Sequence, residues 1–299
     1  MRHTQKIKRI FLFCTAAVFI TAQPVSGESK YGTTGGQILE VDSSARAAAL
    51  GYAFTGLADG YTGALYNPAG LTQLSGPEIE ISHMRYYEET HMSSIGSAHK
   101  LGQFGLAAHI KQFSATDTER DYIGNRVDDF TIAFRQFTVA AGYPMPDEGA
   151  SLGAAVNIIT ENIHNDSGTG FSLTGGWHYL LPDGSSYGLT VRNAGTGIKT
   201  SDSEADFPLE AAVGGAYRPG KFILLWEAAT SRQFNFAFRS GIQANMSREF
   251  CMRFGFTYLT RPEFTVGFGI NVENWVVDYA FLLHADLGMA HRISLGFKL

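Results

Sequence analysis

The chain has 299 residues, with 23 basic side chains against 28 acidic ones, a formal charge of −5, and an apolar fraction of 44%. That balance offers no basic stripe for a nucleic-acid partner. Two cysteines, Cys14 and Cys251, are too few for a disulfide framework.

The first element reads as a secretory signal. Arg2, Lys6, Lys8 and Arg9 make a basic start, residues 10–22 are apolar and uncharged, and Val25, Ser26 and Gly27 place cleavage before Glu28, with Ala22 as a second site. The apolar run is shorter than the roughly 20 residues of a helical membrane span. Removing residues 1–27 takes four of the 23 basic residues and none of the 28 acidic ones. That leaves 19 against 28, a balance of −9, and Cys251 as the sole cysteine of an exported protein.

Residues 28–77 form the second unit. They are rich in small residues, among them Ala45, Ala47, Ala48, Ala49, Gly51, Ala53, Gly56 and Ala58, and they approach their end at Asn67, Pro68, Ala69, Gly70 and Leu71. Small side chains let backbone pack closely in a confined space, Asn67 can bond locally, and Pro68 fixes a turn.

From residue 78 to residue 299 apolar side chains recur at every second position, the period of a strand with two unlike faces. Phe250, Met252, Phe254, Phe256 and Tyr258 share one face, with Cys251, Arg253, Gly255 and Thr257 on the other. Phe264, Val266, Phe268, Ile270 and Val272 alternate with Thr265, Gly267, Gly269 and Asn271. The aromatic face reads as a greasy outside and the small, polar face as a wet inside. No later segment of 18 or more apolar residues occurs, so a membrane location requires a closed barrel.

The pattern predicts an all-β fold, a transmembrane antiparallel β-barrel of about fourteen strands with an N-terminal lumenal plug. The strands fall near 78–86, 91–100, 103–113, 128–143, 149–161, 169–180, 185–194, 207–218, 220–229, 235–246, 249–259, 263–272, 274–284 and 290–299. Their connections alternate between tight turns, such as Leu101 with Gly102 and Pro219 with Gly220, and a second class holding the polar loops 114–127, 161–168 and 194–206. Short members of that class lie near Glu88 and Glu89, Ser231 and Arg232, Arg261 and Pro262, and residues 285–289. An even strand number puts both ends of the barrel on the tight-turn, periplasmic side. In the fourth strand Phe130, Ile132 and Phe134 are out of phase with Phe137, Val139, Ala141 and Tyr143. Either a β-bulge near Arg135 and Gln136 or projection of the first half beyond the membrane explains this.

By phase, Arg192, Glu210, Arg218, Glu227, Arg239, Arg253, Glu263, Asp278 and Lys298 point into the lumen. Two roles suit them: anchoring the plug through mixed charge pairs, or lining a solute path. Interspersed signs favour the first over a selective ring.

Two stretches, 149–153 and 184–188, fit the G-x-S-x-G pattern, but each follows a Pro-Asp turn and opens a strand rather than a helix, so hydrolase chemistry is not expected. The histidines at 83, 91, 99, 109, 164, 178, 284 and 291 have no H-x-x-x-H pairing, and neither Asp117, Glu119 and Asp121 nor Asp202, Glu204 and Asp206 form an EF-hand. The expectation is no metal, no cofactor and no enzyme.

Residues 45–71 resemble the N-terminal signature of the PorV/PorQ-type outer-membrane proteins, a branch of the FadL-like barrels. The resemblance rests on Ala45, Arg46, Gly51, Ala53, Phe54, Leu57, Ala58, Asp59, Ala64, Leu65, Tyr66 and the five residues from Asn67 to Leu71, with departures at Leu50, Tyr52 and Gly60. A second match joins Asp278, Tyr279, Ala280 and Phe281 to Leu287 and Gly288 and to residues 291–295. The terminal alternation of Ile293, Leu295, Phe297 and Leu299 is similar to the signal read by barrel assembly machinery, though an aromatic residue usually stands last. The resemblance implies an outer-membrane location among lipids and a channel for a hydrophobic or amphipathic small molecule. Its PorV branch implies instead a non-transporting scaffold or shuttle for secretion-system proteins.

Overall fold

The computed structural model describes residues 34–85, 90–164, 166–199, 204–234, 236–284 and 288–299. The expected signal at 1–27, the turn at Glu88 and Glu89, and Asp202 lie outside them.

Among the described residues sixteen antiparallel strands share one sheet. Two are two-residue pieces, Ile198–Lys199 and Glu204–Ala205, within one connection. The other fourteen form the wall: β1 (Glu78–Arg85), β2 (His91–Leu101), β3 (Phe104–Arg120), β4 (Arg126–Pro144), β5 (Ala150–Ile163), β6 (Asp166–Leu180) and β7 (Ser186–Gly195). They continue as β8 (Glu210–Tyr217), β9 (Phe222–Ser231), β10 (Ala237–Asn245), β11 (Phe250–Tyr258), β12 (Pro262–Val272), β13 (Trp275–His284) and β14 (Gly288–Lys298). Each strand pairs with the next, and β1 pairs with β14 from Glu78 opposite Lys298 to Arg85 opposite His291, so the sheet closes into a barrel with no free edge.

The period-two pattern resolves into two surfaces. Phe254, Val266, Leu295, Ile81, Ile110 and Phe137 stand exposed outside, whereas Arg253, Thr265, Ser294, Ser82, His109 and Thr138 are buried inside. Exposing so many large apolar side chains around a closed wall suits surrounding hydrocarbon rather than water.

The fourth strand settles the two explanations of its phase. Its register with β5 runs without a shift from Ile132 opposite Ile163 to Pro144 opposite Ser151, so no bulge lies at Arg135 and Gln136. Instead β3 and β4 extend past their neighbours: β2 ends its pairing with β3 at His91 opposite Ser114, while the β3–β4 ladder continues to Arg120 opposite Arg126. The expected loop 114–127 is therefore mostly strand. Its turn is closed by Asp121, whose Oδ1 accepts from the backbone N–H of Ile123 at 3.0 Å and of Asn125 at 2.8 Å. The expected loop 161–168 shortens in the same way, since β5 runs to Ile163 and β6 starts at Asp166, paired to each other.

Residues 34–77 run through the barrel. Gly36 lies beside Phe207 and Glu161 near the end that carries the projecting β3–β4 hairpin, and Gly76 meets Leu299 at the tight-turn end, where β1 begins. Between these ends are 3₁₀ turns at Gln37–Leu39 and Pro68–Gln73 and two single-turn helices, α1 (Ala45–Ala48) and α2 (Gly63–Tyr66).

Candidate functional site: the lumen and the segment within it

The small residues of the segment meet small residues of the wall. Gly105, Gly142, Gly153 and Gly176 stand opposite one another across β3 to β6. A Cβ on Gly142 would come 2.6 Å from the carbonyl oxygen of Pro68, one on Gly153 would strike the backbone nitrogen of Ala69, and one on Gly176 would strike Asn67. The turn from Asn67 to Leu71 thus rests on bare backbone, the close approach that glycine permits.

Asn67 is fully buried and bonds on every side. Its Oδ1 accepts from Ala69 N–H at 3.2 Å, and its Nδ2 donates to the carbonyls of Thr55 and of Trp177 on β6, both at 3.0 Å. Pro68 opens the 3₁₀ turn at the position where a missing N–H costs nothing. The two serines of the G-x-S-x-G stretches serve the same packing. Ser151 Oγ donates to the Ala69 carbonyl at 3.0 Å and Ser186 Oγ to the Gly56 carbonyl at 2.7 Å.

Elsewhere the wall holds the segment through side chains. Three wall glutamates accept from its backbone: Glu161 from Gly36 N–H at 2.8 Å, Glu227 from Thr55 N–H at 2.9 Å, and Glu78 from Tyr61 N–H at 2.7 Å. Ser294 accepts from Ala45 N–H at 3.0 Å, and Thr257 donates to the Gly51 carbonyl at 2.8 Å. Lys111 Nζ donates to the carbonyls of Ile38 at 2.6 Å and Val41 at 2.7 Å.

The lumenal charges sort into two groups. Near the long-connection end Glu210 pairs with Arg192 and, at 3.1 Å, with Arg239; Arg239 reaches Glu227 at 2.6 Å, and Arg192 lies 3.5 Å from Glu227. Near the tight-turn end Arg253 pairs with Asp278 at 2.6 Å, and Lys298 lies 3.3 Å from Glu78. Arg218 bridges from wall to segment, 3.3 Å from Asp59, and Asp59 pairs with Arg46 at 2.7 Å. Burial pushes the Asp59 carboxyl up, but Arg46 and Arg218 outweigh it and hold Asp59 below the usual carboxylate range. Glu263 lies on the wall of the first cavity described below.

Two cavities stand out among the described residues. One of about 330 Å³ lies toward the long-connection end, bordered by Glu40, Tyr66, Lys111, Arg192, Glu210 and Glu263 among others. The second, about 300 Å³, lies toward the tight-turn end beside Arg46, Asp59, Glu80, Arg253 and Asp278. The segment borders both, with Ala64, Leu65 and Tyr66 on the first and Asp59, Tyr61 and Thr62 on the second. Leu50, Phe54, Leu57 and Tyr66 pack on Leu225 and Ile223 of β9, with the Phe54 and Tyr66 rings 5.2 Å apart. Ile38, Ile159, Ile198 and Phe207 form a second apolar cluster. Glu40 is exposed to the first cavity yet enclosed within the barrel. Burial pushes its carboxyl up to about 7, with the Gln233 hydrogen bond and Arg239 opposing and Glu210 adding to the rise.

Residues 79–285 match the family model described as a putative MetA-pathway of phenol degradation. The chain belongs to this family. Among curated proteins, a UPF0164 protein of Treponema pallidum is 26% identical over 232 residues, 68% of this chain. The chain spans about half the length of that relative, 54%. Among solved structures, the Ralstonia pickettii toluene transporter TbuX aligns with a TM-score of 0.60 at 11% identity over 80% of this chain and 94% of its own. A Pseudomonas aeruginosa FadL homologue aligns at 0.60 and 10% over 86% and 99%, and the monoaromatic hydrocarbon channel CymD at 0.61 and 12% over 82% and 94%. At such identities the likeness establishes the fold, a FadL-like barrel.

Phase alone placed Arg192, Glu210, Glu227, Arg239, Arg253 and Asp278 inside, but it could not pair them. It passed over Lys111, His109, Glu161 and Arg292, although each stands on the small-residue face of its strand and the same parity rule would have found them. The Arg46–Asp59 pair carried no periodic signal, because both lie in the irregular segment.

Proposed function

We propose that the chain is an outer-membrane channel for a small amphipathic or hydrophobic molecule, in which residues 28–77 act as the plug and residues 78–299 as the pore wall. The observation that carries this reading is the pair of cavities that the segment borders toward the two ends of a barrel whose exterior is apolar. A solute entering the 330 Å³ cavity, a size typical of small-molecule pockets, would need the segment to shift to reach the other. The fold is shared with proteins titled as toluene transporters and a monoaromatic hydrocarbon channel, which supports transport without naming the solute. Residues 1–27 would then be the export signal, with outer-membrane lipids and the barrel assembly machinery as partners. Swelling of vesicles holding the purified protein, measured in toluene, decanoate or sugar solutions, tests this. Entry of a solute that protein-free vesicles exclude supports a channel, and no entry of any solute by a folded barrel contradicts it.

A second reading, a PorV/PorQ-type scaffold or shuttle for secretion-system proteins, is favoured by the projecting β3–β4 hairpin. Its tip exposes Tyr122 at 98%, Ile123 at 67% and Val127 at 61%, an apolar surface on a rigid arm. Co-purification of a secreted protein, lost on Tyr122→Ser with Ile123→Ser, would support it.

A further inference from the structure

The outer surface of the barrel is not uniform at the long-connection end. Across β3, β2, β1, β14 and β13, the outward residues at one level are Ser114, His91, Arg85, His291 and Phe281, each directly opposite the next. One step below, across β4, β3, β2 and β1, come Arg135, Gln112, Ser93 and His83. The next step down is wholly apolar: Phe137, Ile110, Ile95, Ile81 and Leu295.

These two polar levels hold two arginines and three histidines, all exposed, and among the described residues no carboxylate occupies either of them. The histidines are held in place: the His83 and His91 rings stack at 5.7 Å, His83 Nδ1 meets Ser93 Oγ at 2.9 Å, and His291 Nδ1 meets the Tyr279 hydroxyl at 2.6 Å. Arg135 Nε donates to Gln112 at 3.2 Å. On the adjoining strands β11, β12 and β13 the outward residues toward the same end are Phe256, Tyr258, Phe264 and Leu283, an ordinary aromatic border.

We propose that this face of β14, β1, β2 and β3 is a docking surface for the phosphate of an anionic lipid. Arginines at the edge of an apolar belt attract anionic headgroups, and histidine N–H groups can donate to phosphate oxygens. Here the headgroup would meet Arg85, His91 and His291, and its acyl chains would lie along Ile81, Ile95 and Leu295 directly beneath. That vertical order, charge above grease, fits a lipid rather than a free phosphate ion, which has no use for the apolar level. The inference rests on the membrane reading of the barrel, because it needs this face to meet a bilayer.

The test uses the full chain in detergent and native mass spectrometry with phosphatidylglycerol and with diacylglycerol of the same acyl chains. The wild type should retain phosphatidylglycerol at least fivefold over diacylglycerol. The triple variant Arg85→Gln, His91→Gln, His291→Gln should fall to parity, and Arg248→Gln at the opposite rim should leave retention unchanged. Inorganic phosphate should not displace the lipid. Equal retention of the two lipids, an unaffected triple variant, or displacement by phosphate alone would each overturn the proposal. Reconstitution into phosphatidylcholine vesicles separates the two layers of argument. A chain that inserts but shows no preference defeats only the docking surface, whereas one that stays soluble without detergent defeats the membrane reading.

Discussion

The two sides of the barrel hold the same lumenal segment with glycine backbone, but in different measure with side chains. On β3 to β6 the turn from Asn67 to Leu71 lies against glycine backbone, with Gly142 and Gly153 leaving room for nothing larger. On β10 and β11 Gly241 meets Leu50 and Gly255 meets Gly51 just as closely, and Glu227, Thr257 and Ser294 add side-chain hydrogen bonds to the backbone of residues 45–55. Backbone-on-backbone contact tolerates almost no displacement, because any added atom or gap is felt at full cost. A hydrogen bond to a side chain can exchange one partner for another. The turn from Asn67 to Leu71 is thus clamped by packing, and residues 45–55 are held by packing and hydrogen bonds together.

Substitutions that attack the clamp should do most harm. Gly153→Val places side-chain atoms where Ala69 lies and should prevent formation of the compact, heat-resistant barrel on a gel, whereas Ser→Val changes at exposed wall positions should not. Asn67→Ala strips two carbonyls and one N–H of their partner and should cost about 2–4 kcal/mol in a denaturant titration, since an orphaned buried polar group costs about 1–3 kcal/mol. On β11 Thr257→Val removes one hydrogen bond and should cost about 1 kcal/mol. Should Thr257→Val prove as damaging as Gly153→Val, packing and hydrogen bonding would carry equal weight.

A pH dependence should come from Glu40. Its carboxyl titrates at about 7 when folded and near 4.5 otherwise, so the folded state binds the proton more tightly. Its contribution to stability is complete below about 4.5 and is lost as pH rises through about 7. Melting profiles of wild type and Glu40→Gln should therefore differ in slope between those values and run parallel elsewhere.

The barrel was legible because period two is written into β10 to β14 almost without interruption: Phe250, Met252, Phe254 and Phe264, Val266, Phe268 all face one way. The β3–β4 hairpin was read too short because strands outside the belt need no alternation. Phe113 and Phe134, whose rings stack at 5.9 Å, turn inward onto the Ile38 and Ile159 cluster. The lumenal segment announced its smallness but not its path, since a chain of turns has no period. Asn67 was visible as a turn residue, yet its bond to Trp177 spans 110 positions, a distance no local pattern encodes.

The central claim is that residues 28–77 close the lumen. Ion current through single barrels in a planar bilayer tests it most directly, with heat-modifiable gel migration confirming that each barrel is folded. The intact chain should carry little current, and the chain lacking residues 28–77 should carry at least tenfold more in discrete steps. A folded barrel without the segment that stays as closed as the intact chain would contradict the account.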